Sequence, residues 1–338
     1  MYDKNKKRTA FSEIGKIEAI SRLFKETGYN NGDISIFGDN ISSHTVLLEG
    51  VDFDLVYTPL THLGYKAVLS VIGNIYAGFH KPKRLSIILG ISSRFSYEDI
   101  ATFWEGVLAA AKEHHISELH LELNPSMTGL SISLCAIGEQ KKKILSKKQS
   151  AKNMDLICLS GNIGAAYMGM HVLDREKVSF VSTSKDANDE EKQPDLSKYK
   201  YILAAYLSPE INPTILDRFI EFDITPSSGY FITKGLADTI KKLTRDTNFG
   251  AKIYLDKIPI SSHTFEMAEE LNIDAITAAL NGGDDYKFIF TIPIEKHETF
   301  RKEFQDFDII GHLCKPETGS VLVTPEGAEL EIKAQGWK

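Results

Sequence analysis

Residues able to handle a metal or a phosphate fall in a few stretches of this 338-residue chain. Gly38 to Pro82 sets Asp39, Asn40, Thr45, Glu49, Asp52 and Asn74 near the ends of apolar runs. Carboxylates and amides at the ends of rigid elements are the hard oxygen donors that a divalent cation or a phosphate site uses. Further on, Asp155-Leu-Ile-Cys-Leu159 runs into Ser160-Gly161-Asn162-Ile163-Gly164. A strand, a glycine loop and a helix in succession can present backbone N–H groups to phosphate, although glycine turns also join strands to helices with no ligand involved. Asp284 and Asp285 precede Tyr286 and a β-rich run, where they either cap a turn or contact substrate. The lysines Lys141, Lys142, Lys143, Lys147 and Lys148 read as a solvated linker more readily than as a phosphate patch. Glu49, Asp52 and Asp54 have a plain reading as solvated loop acids. His80, His120 and His312 lack paired ligand spacing and read as structural.

These groups need elements to hold them. Phe11, Ile14, Ile17, Ile20, Leu23 and Phe24 mark an amphipathic helix, and Ile34–Phe37 and Val46–Leu48 read as strands. From Pro59, the steps between Leu60, Leu63, Ala67, Val68, Val71, Ile72 and Ile75 predict a helix of about five turns. Leu85–Leu89 is a strand. Ser96 caps a helix to about His114, with Ile100, Phe103, Trp104, Val107, Leu108 and Ala111 on its buried side. His120–Leu123 and Leu130–Ile137 complete a sheet covered on one face. The charged segment from Glu139 to Asn153 divides the chain into an N-terminal domain, 1–145, and a C-terminal domain, 146–338. In the second half, helices are expected around Tyr199–Leu207, Pro213–Phe222, Gly235–Leu243 and Lys296–Phe304. Strands are expected at Ala251–Leu255, Tyr286–Ile292, Asp308–Ile310 and Val321–Val323. Ser182–Lys198 is polar, aperiodic and read as a surface excursion.

The sequence resembles the thiamine-monophosphate kinases, relatives of aminoimidazole ribonucleotide synthetase. Their text runs roughly GDDAAV, DxLxEGVHF, LGYKA and SDIYAM, and here Glu49-Gly50-Val51-Asp52-Phe53 and Leu63-Gly64-Tyr65-Lys66-Ala67 keep that frame. Ser160-Gly161 through Tyr167, Lys257-Ile258-Pro259-Ile260, Asn281 to Tyr286, Gly311-His312 and Ala334-Gln-Gly-Trp337 extend the likeness over nearly the whole chain. It implies an α/β (α+β) two-domain fold, with an N-terminal sheet plus helices, a C-terminal α/β domain, a ligand cleft between them, and a homodimer formed through the N-terminal sheets. It also implies transfer of the ATP γ-phosphoryl to thiamine monophosphate, with Mg²⁺ held by carboxylates. ATP and Mg²⁺ are therefore the implied cofactors, and a small phosphorylated molecule the implied ligand.

The acids of that pattern are largely replaced. By this alignment Asp39 keeps the first acid of Gly-Asp-Asp and Asn40 replaces the second. Thr45 and Asn74 replace single acids, and Gly73 replaces the serine of Ser-Asp. Glu122 remains from the Gly-Gly-Asp-Thr-Thr element. Phe231 and Lys234 replace both acids of Asp-Ile-Ser-Asp-Gly-Leu. Gly282-Gly283-Asp284-Asp285-Tyr286 survives best. Asp39 and Glu122 are thus the remaining candidate metal ligands, and Asp39, Gly161, Gly164 and Lys234 the candidate nucleotide or phosphate contacts. Asp284, Asp285 and Tyr286 are the candidate substrate contacts. No catalytic residue is assigned. The reading is a kinase-like protein of impaired or lost activity. The alternatives are a working kinase with fewer metals, or a non-catalytic paralogue that binds a phosphorylated ligand or a partner. Lys234 either helps hold an anion without metal, near Asp39, or points to solvent.

Bulk properties agree with a globular protein. A net charge of −7 argues against a general nucleic-acid surface, and no apolar run approaches the roughly 18 residues that cross a bilayer. The charged start MYDKNKKRTA shows no signal peptide, and Cys135, Cys158 and Cys314 read as reduced core cysteines of a cytoplasmic protein.

Overall fold

The computed structural model describes residues 11–14, 16–27, 32–140, 150–183 and 195–334. The lysines at 141–148, most of the polar stretch 182–198 and the closing Gln-Gly-Trp lie outside them.

The N-terminal half builds a five-stranded sheet in the order β1-β2-β5-β3-β4. Its strands are β1 (Ile34–Phe37), β2 (Asn40–Leu48), β3 (His80–Ile91), β4 (Glu118–Pro125) and β5 (Ser131–Gln140). A helix, α1 (Lys16–Phe24), precedes β1; α2 (Leu60–Ala77) leads into β3, and α3 (Tyr97–Glu113) is the crossover from β3 to the parallel β4. α2 starts after Pro59, whose fixed φ suits a helix entry. The start of α3 is fixed by a full capping box: the Ser96 hydroxyl accepts from Asp99 N–H, and the Asp99 carboxylate accepts from Ser96 N–H. α2 and α3 pack at near-backbone contact, since a Cβ at Gly64 would stand 2.0 Å from the Phe103 carbonyl oxygen. Ile100, Trp104 and Leu108, spaced four apart, form the outer edge of the α3 stripe, and Leu108 is exposed rather than buried.

Burial alternates along β2, β3 and β5. Leu85, Ile87, Leu89, Ile132, Leu134 and Ala136 lie under the helices, while Val46, Ser133 and Ile88, in register across three strands, face the open side. Cys135 belongs to this open face and is exposed, unlike Cys158 and Cys314. The expectation of a core position therefore fails for Cys135, because the two-residue period of a strand turns it outward.

The C-terminal half forms a seven-stranded sheet in the order β12-β11-β8-β10-β6-β9-β7. Its strands are β6 (Leu156–Ser160), β7 (Ser228–Ile232), β8 (Gly250–Tyr254), β9 (Lys287–Ile292), β10 (Phe307–Cys314), β11 (Ser320–Val323) and β12 (Glu329–Glu331). The helices are α4 (Ala165–Thr183), α5 (Lys200–Leu207), α6 (Ile215–Glu221), α7 (Leu236–Thr247), α8 (Ser262–Leu271), α9 (Ala275–Asn281) and α10 (His297–Glu303). β7, α8 and α9 are additions to the sequence reading; β7 is a five-residue edge strand with one buried end, too short for a clear period. One apolar cluster runs from the α2 side of the first sheet through Phe79 into Phe290, Phe219, Phe300 and Phe304 of the second lobe. The lobes therefore share a continuous core. Among the described residues no helix is long and apolar enough to cross a membrane.

Candidate functional site

Between the lobes lies a cavity of about 530 Å³, walled by β2, α2 and the loops before β1 and after β2 on one side. Tyr206 of α5, Thr233, Lys234, Lys242 of α7, Asp284 and Tyr286 close the other side. Lys66 is the one Lys, Arg, Asp or Glu of α2, and it faces this cavity. Its ammonium is 3.0 Å from Asp284 and stands 3.8 Å from the centre of the Tyr206 ring, a cation–π geometry. Lys234 reaches across the lobes to Asp52 at 2.9 Å. Lys242 contacts Asp33 at 2.8 Å and Asp238 at 3.0 Å. Burial works against charge on Lys234 and Lys242, but the neighbouring aspartates outweigh it and raise both above the ordinary lysine range. Burial likewise opposes ionisation of Asp33, and the Lys242 ammonium overcomes this and lowers its pKa.

The loop that carries Asp284 is bent by backbone in the left-handed region: Gly283 has φ 79°, Asp284 60° and Tyr286 53°. Glycine adopts this freely; the other two are held there by Asp284 N–H donating to Thr233 O and Tyr286 N–H to Ile232 O. The bend sends alternate side chains apart. Asp284 points at Lys66, while Asp285 turns inward and accepts the Gly164 N–H at the start of α4, at 2.8 Å. Asp285 is buried, and its second carboxyl oxygen has no hydrogen-bond partner among the described residues. Desolvation pushes its pKa up to about 7, against the Gly164 bond and the Lys287 charge.

The cavity gathers only part of the residues singled out in the sequence. Thr45, Asn74, Lys234, Asp284 and Tyr286 line it, with Asn74 donating to the Ser43 hydroxyl at 3.1 Å. Thr45 and Asn74 sit inside β2 and α2 rather than at their ends. Asp39 and Asn40 do not line it; Asp39 lies in the tight turn between β1 and β2. The Gly-Asp pair at the cavity wall is Gly32-Asp33, not Gly38-Asp39. Glu122 lies on the edge strand β4, in register with Ile88 and exposed. Three strand spacings separate β2 from β4, at least ~14 Å, so Asp39 and Glu122 cannot share one cation.

Gly161 and Gly164 lie away from the cavity walls, and the donors of their loop are already engaged. Gly161 N–H bonds Asp306 O, Ile163 N–H bonds Pro259 O and Gly164 N–H bonds Asp285. A loop whose amides are satisfied internally offers few to a phosphate. Phe231 is buried and packs edge-on against Tyr286, with ring centroids 5.5 Å apart. A Cβ at Gly73 would stand 2.2 Å from the Phe231 ring, so the ring fills the space that a side chain at 73 would need. Among the described residues, no three His, Cys, Asp or Glu side chains come together as a metal site. Sequence reading missed Asp33 and Lys242 and passed over Lys66 as part of the Leu-Gly-Tyr-Lys-Ala frame; Asp33 had a signal, a second Gly-Asp pair six residues upstream.

No family model matches the chain. It is 25% identical over 331 residues to the thiamine-monophosphate kinase of Buchnera aphidicola from Schizaphis graminum, covering 92% of this chain and 94% of that protein. The fold is like that of the solved structure of AaThiL complexed with AMPPCP and TMP, with TM-score 0.78, 21% identity and 98% and 99% of the two chains covered. The hydrogenase maturation protein HypE in complex with ATP is also similar, with TM-score 0.63, 16% identity and 94% and 92% covered. Along nearly its whole length the chain is similar in sequence to thiamine-monophosphate kinases, and its two-domain α/β fold is like that of AaThiL.

Proposed function

We propose that the cavity between the lobes binds a small phosphorylated ligand and that phosphoryl transfer from ATP is impaired or lost. The observation that carries this reading is the pairing of every aspartate on the cavity wall with a lysine: Asp33 with Lys242, Asp52 with Lys234 and Asp284 with Lys66. Mg²⁺ takes near-octahedral oxygen ligands and gives up water reluctantly. To collect these carboxylates it would have to displace an ammonium from each, and Phe231 offers no oxygen. The residues present do not fit a magnesium cage.

Phosphoryl transfer relies on positioning and on cations placed at the transferring group. Lys66, Lys234 and Lys242 can bind and orient phosphate, which is binding without the carboxylate-held metal that transfer would use. Relatives lend support, since one structural neighbour holds AMPPCP and TMP and another holds ATP. A working kinase with fewer metals is favoured by the three carboxylates that the cavity wall still carries, Asp33, Asp52 and Asp284. The two readings separate in a single-turnover assay with ATP, thiamine monophosphate and Mg²⁺, run beside a thermal-shift series with the same compounds. Impaired transfer predicts a stabilising shift from ligand with a rate far below the ~1–100 s⁻¹ usual for kinases. A rate inside that range establishes the working kinase instead.

The open face of the first sheet supports pairing with a second copy of the chain. Val46, Leu48 and Ile88 are 51%, 41% and 45% exposed on the face turned away from α2 and α3.

A further inference from the structure

Asp52 and Lys234 are 182 residues apart in sequence and joined across the cavity. In the family text quoted above, a histidine stands at position 52 and an acid at 234. Here the acid is at 52 and the cation at 234, and the two are in contact. Both partners fit this arrangement. The second oxygen of Asp52 accepts the Leu48 N–H at 3.0 Å, which ties the carboxylate to the turn after β2 and orients the first oxygen at Lys234. At position 231, one turn-motif step earlier, Phe231 is seated against the bare Cα of Gly73. The metal-binding positions have thus been replaced by a packed ring and an ion pair that satisfy each other.

We propose that Lys234, together with Lys66 and Lys242, takes the electrostatic place of a divalent cation, so that the cavity binds a phosphate or diphosphate group without metal. This rests on reading the cavity as a phosphorylated-ligand site. An ammonium carries three N–H donors. Lys234 gives one to Asp52, Lys66 one to Asp284, and Lys242 one each to Asp33 and Asp238. Donors remain on each ammonium for an incoming phosphate oxygen. Four lysines, with Lys16, stand at the wall against Asp33, Asp52, Asp284 and the Asp238 behind Lys242, so its acids are already neutralised. An unpaired cage of acids would repel phosphate until a metal neutralised it; this wall carries its neutralising charges covalently. Lys234 is the most accessible of the three, with 57% of its side chain exposed against 8% for Lys66 and 10% for Lys242, and so it is the cation that a ligand meets first. Asp52 then acts as the competing anion that the phosphate must share Lys234 with.

The test is calorimetric titration of the full chain with pyrophosphate, once in EDTA and once in Mg²⁺. Equal affinity in the two buffers is expected. Lys234→Met should weaken binding about tenfold, the loss of one charge-assisted hydrogen bond. Asp52→Asn should tighten it, because the amide oxygen still accepts the Leu48 N–H while the competing charge is gone. A damaged fold cannot produce tighter binding, so the two variants together separate the proposal from simple misfolding. Binding that appears only with Mg²⁺, or wild-type affinity in both variants, overturns the metal-free site and leaves phosphate binding intact. No binding in either buffer overturns the reading of the cavity as a phosphate site, and this inference with it.

Discussion

The two sheets bury their residues differently. In the first, the strands alternate, with Leu85, Ile87 and Leu89 fully buried and Ile88 between them 45% exposed. In the second, β6 and β9 are buried without a break from Leu156 to Leu159 and from Phe288 to Ile292. Even residues of β9 face the aromatic cluster with Phe219 and Phe304; Ile289 faces α7 and the opposite core. A sheet covered on both faces reads as a continuous apolar run, and one covered on a single face alternates. The comparison teaches where each lobe is complete. The second sheet is covered on both sides, by its own helices and, beside Phe79, by the first lobe; among the described residues the first sheet is covered on one.

The largest effect that would sharpen this contrast is in the second lobe. Phe290→Ala removes a fully buried ring that stacks on Phe288, meets Phe219 edge-on and lies tilted against Phe79. It should cost about 3–5 kcal/mol in urea unfolding. Ile88→Ala should cost under ~1 kcal/mol in dilute protein, whereas Ile88→Lys should convert a dimeric mass in light scattering to that of one chain. A mass of one chain for the wild type at micromolar concentration, or an Ile88→Ala cost equal to that of Phe290→Ala at every concentration, breaks the distinction.

The next effect depends on pH and on the deep burial of the second lobe. Asp285 holds its proton to about pH 7 in the fold, against an ordinary value of 3.8. Between those values the native state binds a proton that the unfolded chain has lost. Stability therefore falls as pH rises from about 4 to about 7 and levels off above. Asp285→Asn keeps an acceptor for Gly164 N–H and cannot ionise. Its stability relative to wild type should rise across that window by an amount on the order of a few kcal/mol. Parallel melting curves for the two proteins from pH 5 to pH 8 would show that Asp285 does not carry the charge penalty.

How much of this was legible in the sequence depends on range. Ser96 and its capping box, the entry of α2 after Pro59 and the Gly-Gly-Asp-Asp-Tyr loop are local signals, each contained within a few residues. The cavity is not local. Gly32-Asp33 and Gly38-Asp39 are the same dipeptide six residues apart, and only the hairpin geometry shows that the first faces the cleft and the second forms the turn. Glu122 and Asp39 looked like a pair because sequence carries no strand order. Lys66 and Asp284 are separated by 218 residues, and Lys242 looks from its own helix like an ordinary partner for Asp238. Long-range ion pairs leave no periodic trace, so their partners emerge only when the chain is folded.

The smallest expected effect tests the most legible feature. Ser96→Ala removes the acceptor for Asp99 N–H on the first lobe and should cost about 1 kcal/mol by chemical denaturation. No measurable loss would mean that tertiary packing of α3, and not its cap, fixes where the helix begins.

The contact between Gly73 and Phe231 also couples the two positions. A serine at 73 would drive its Cβ into the ring, 2.2 Å away. An acid at 231 would place a carboxylate among the rings of Tyr286 and Phe288, at a cost of several kcal/mol. Each single change is penalised by stability. The two positions therefore behave as one unit, and a new residue at 73 is accommodated only when the ring at 231 moves with it.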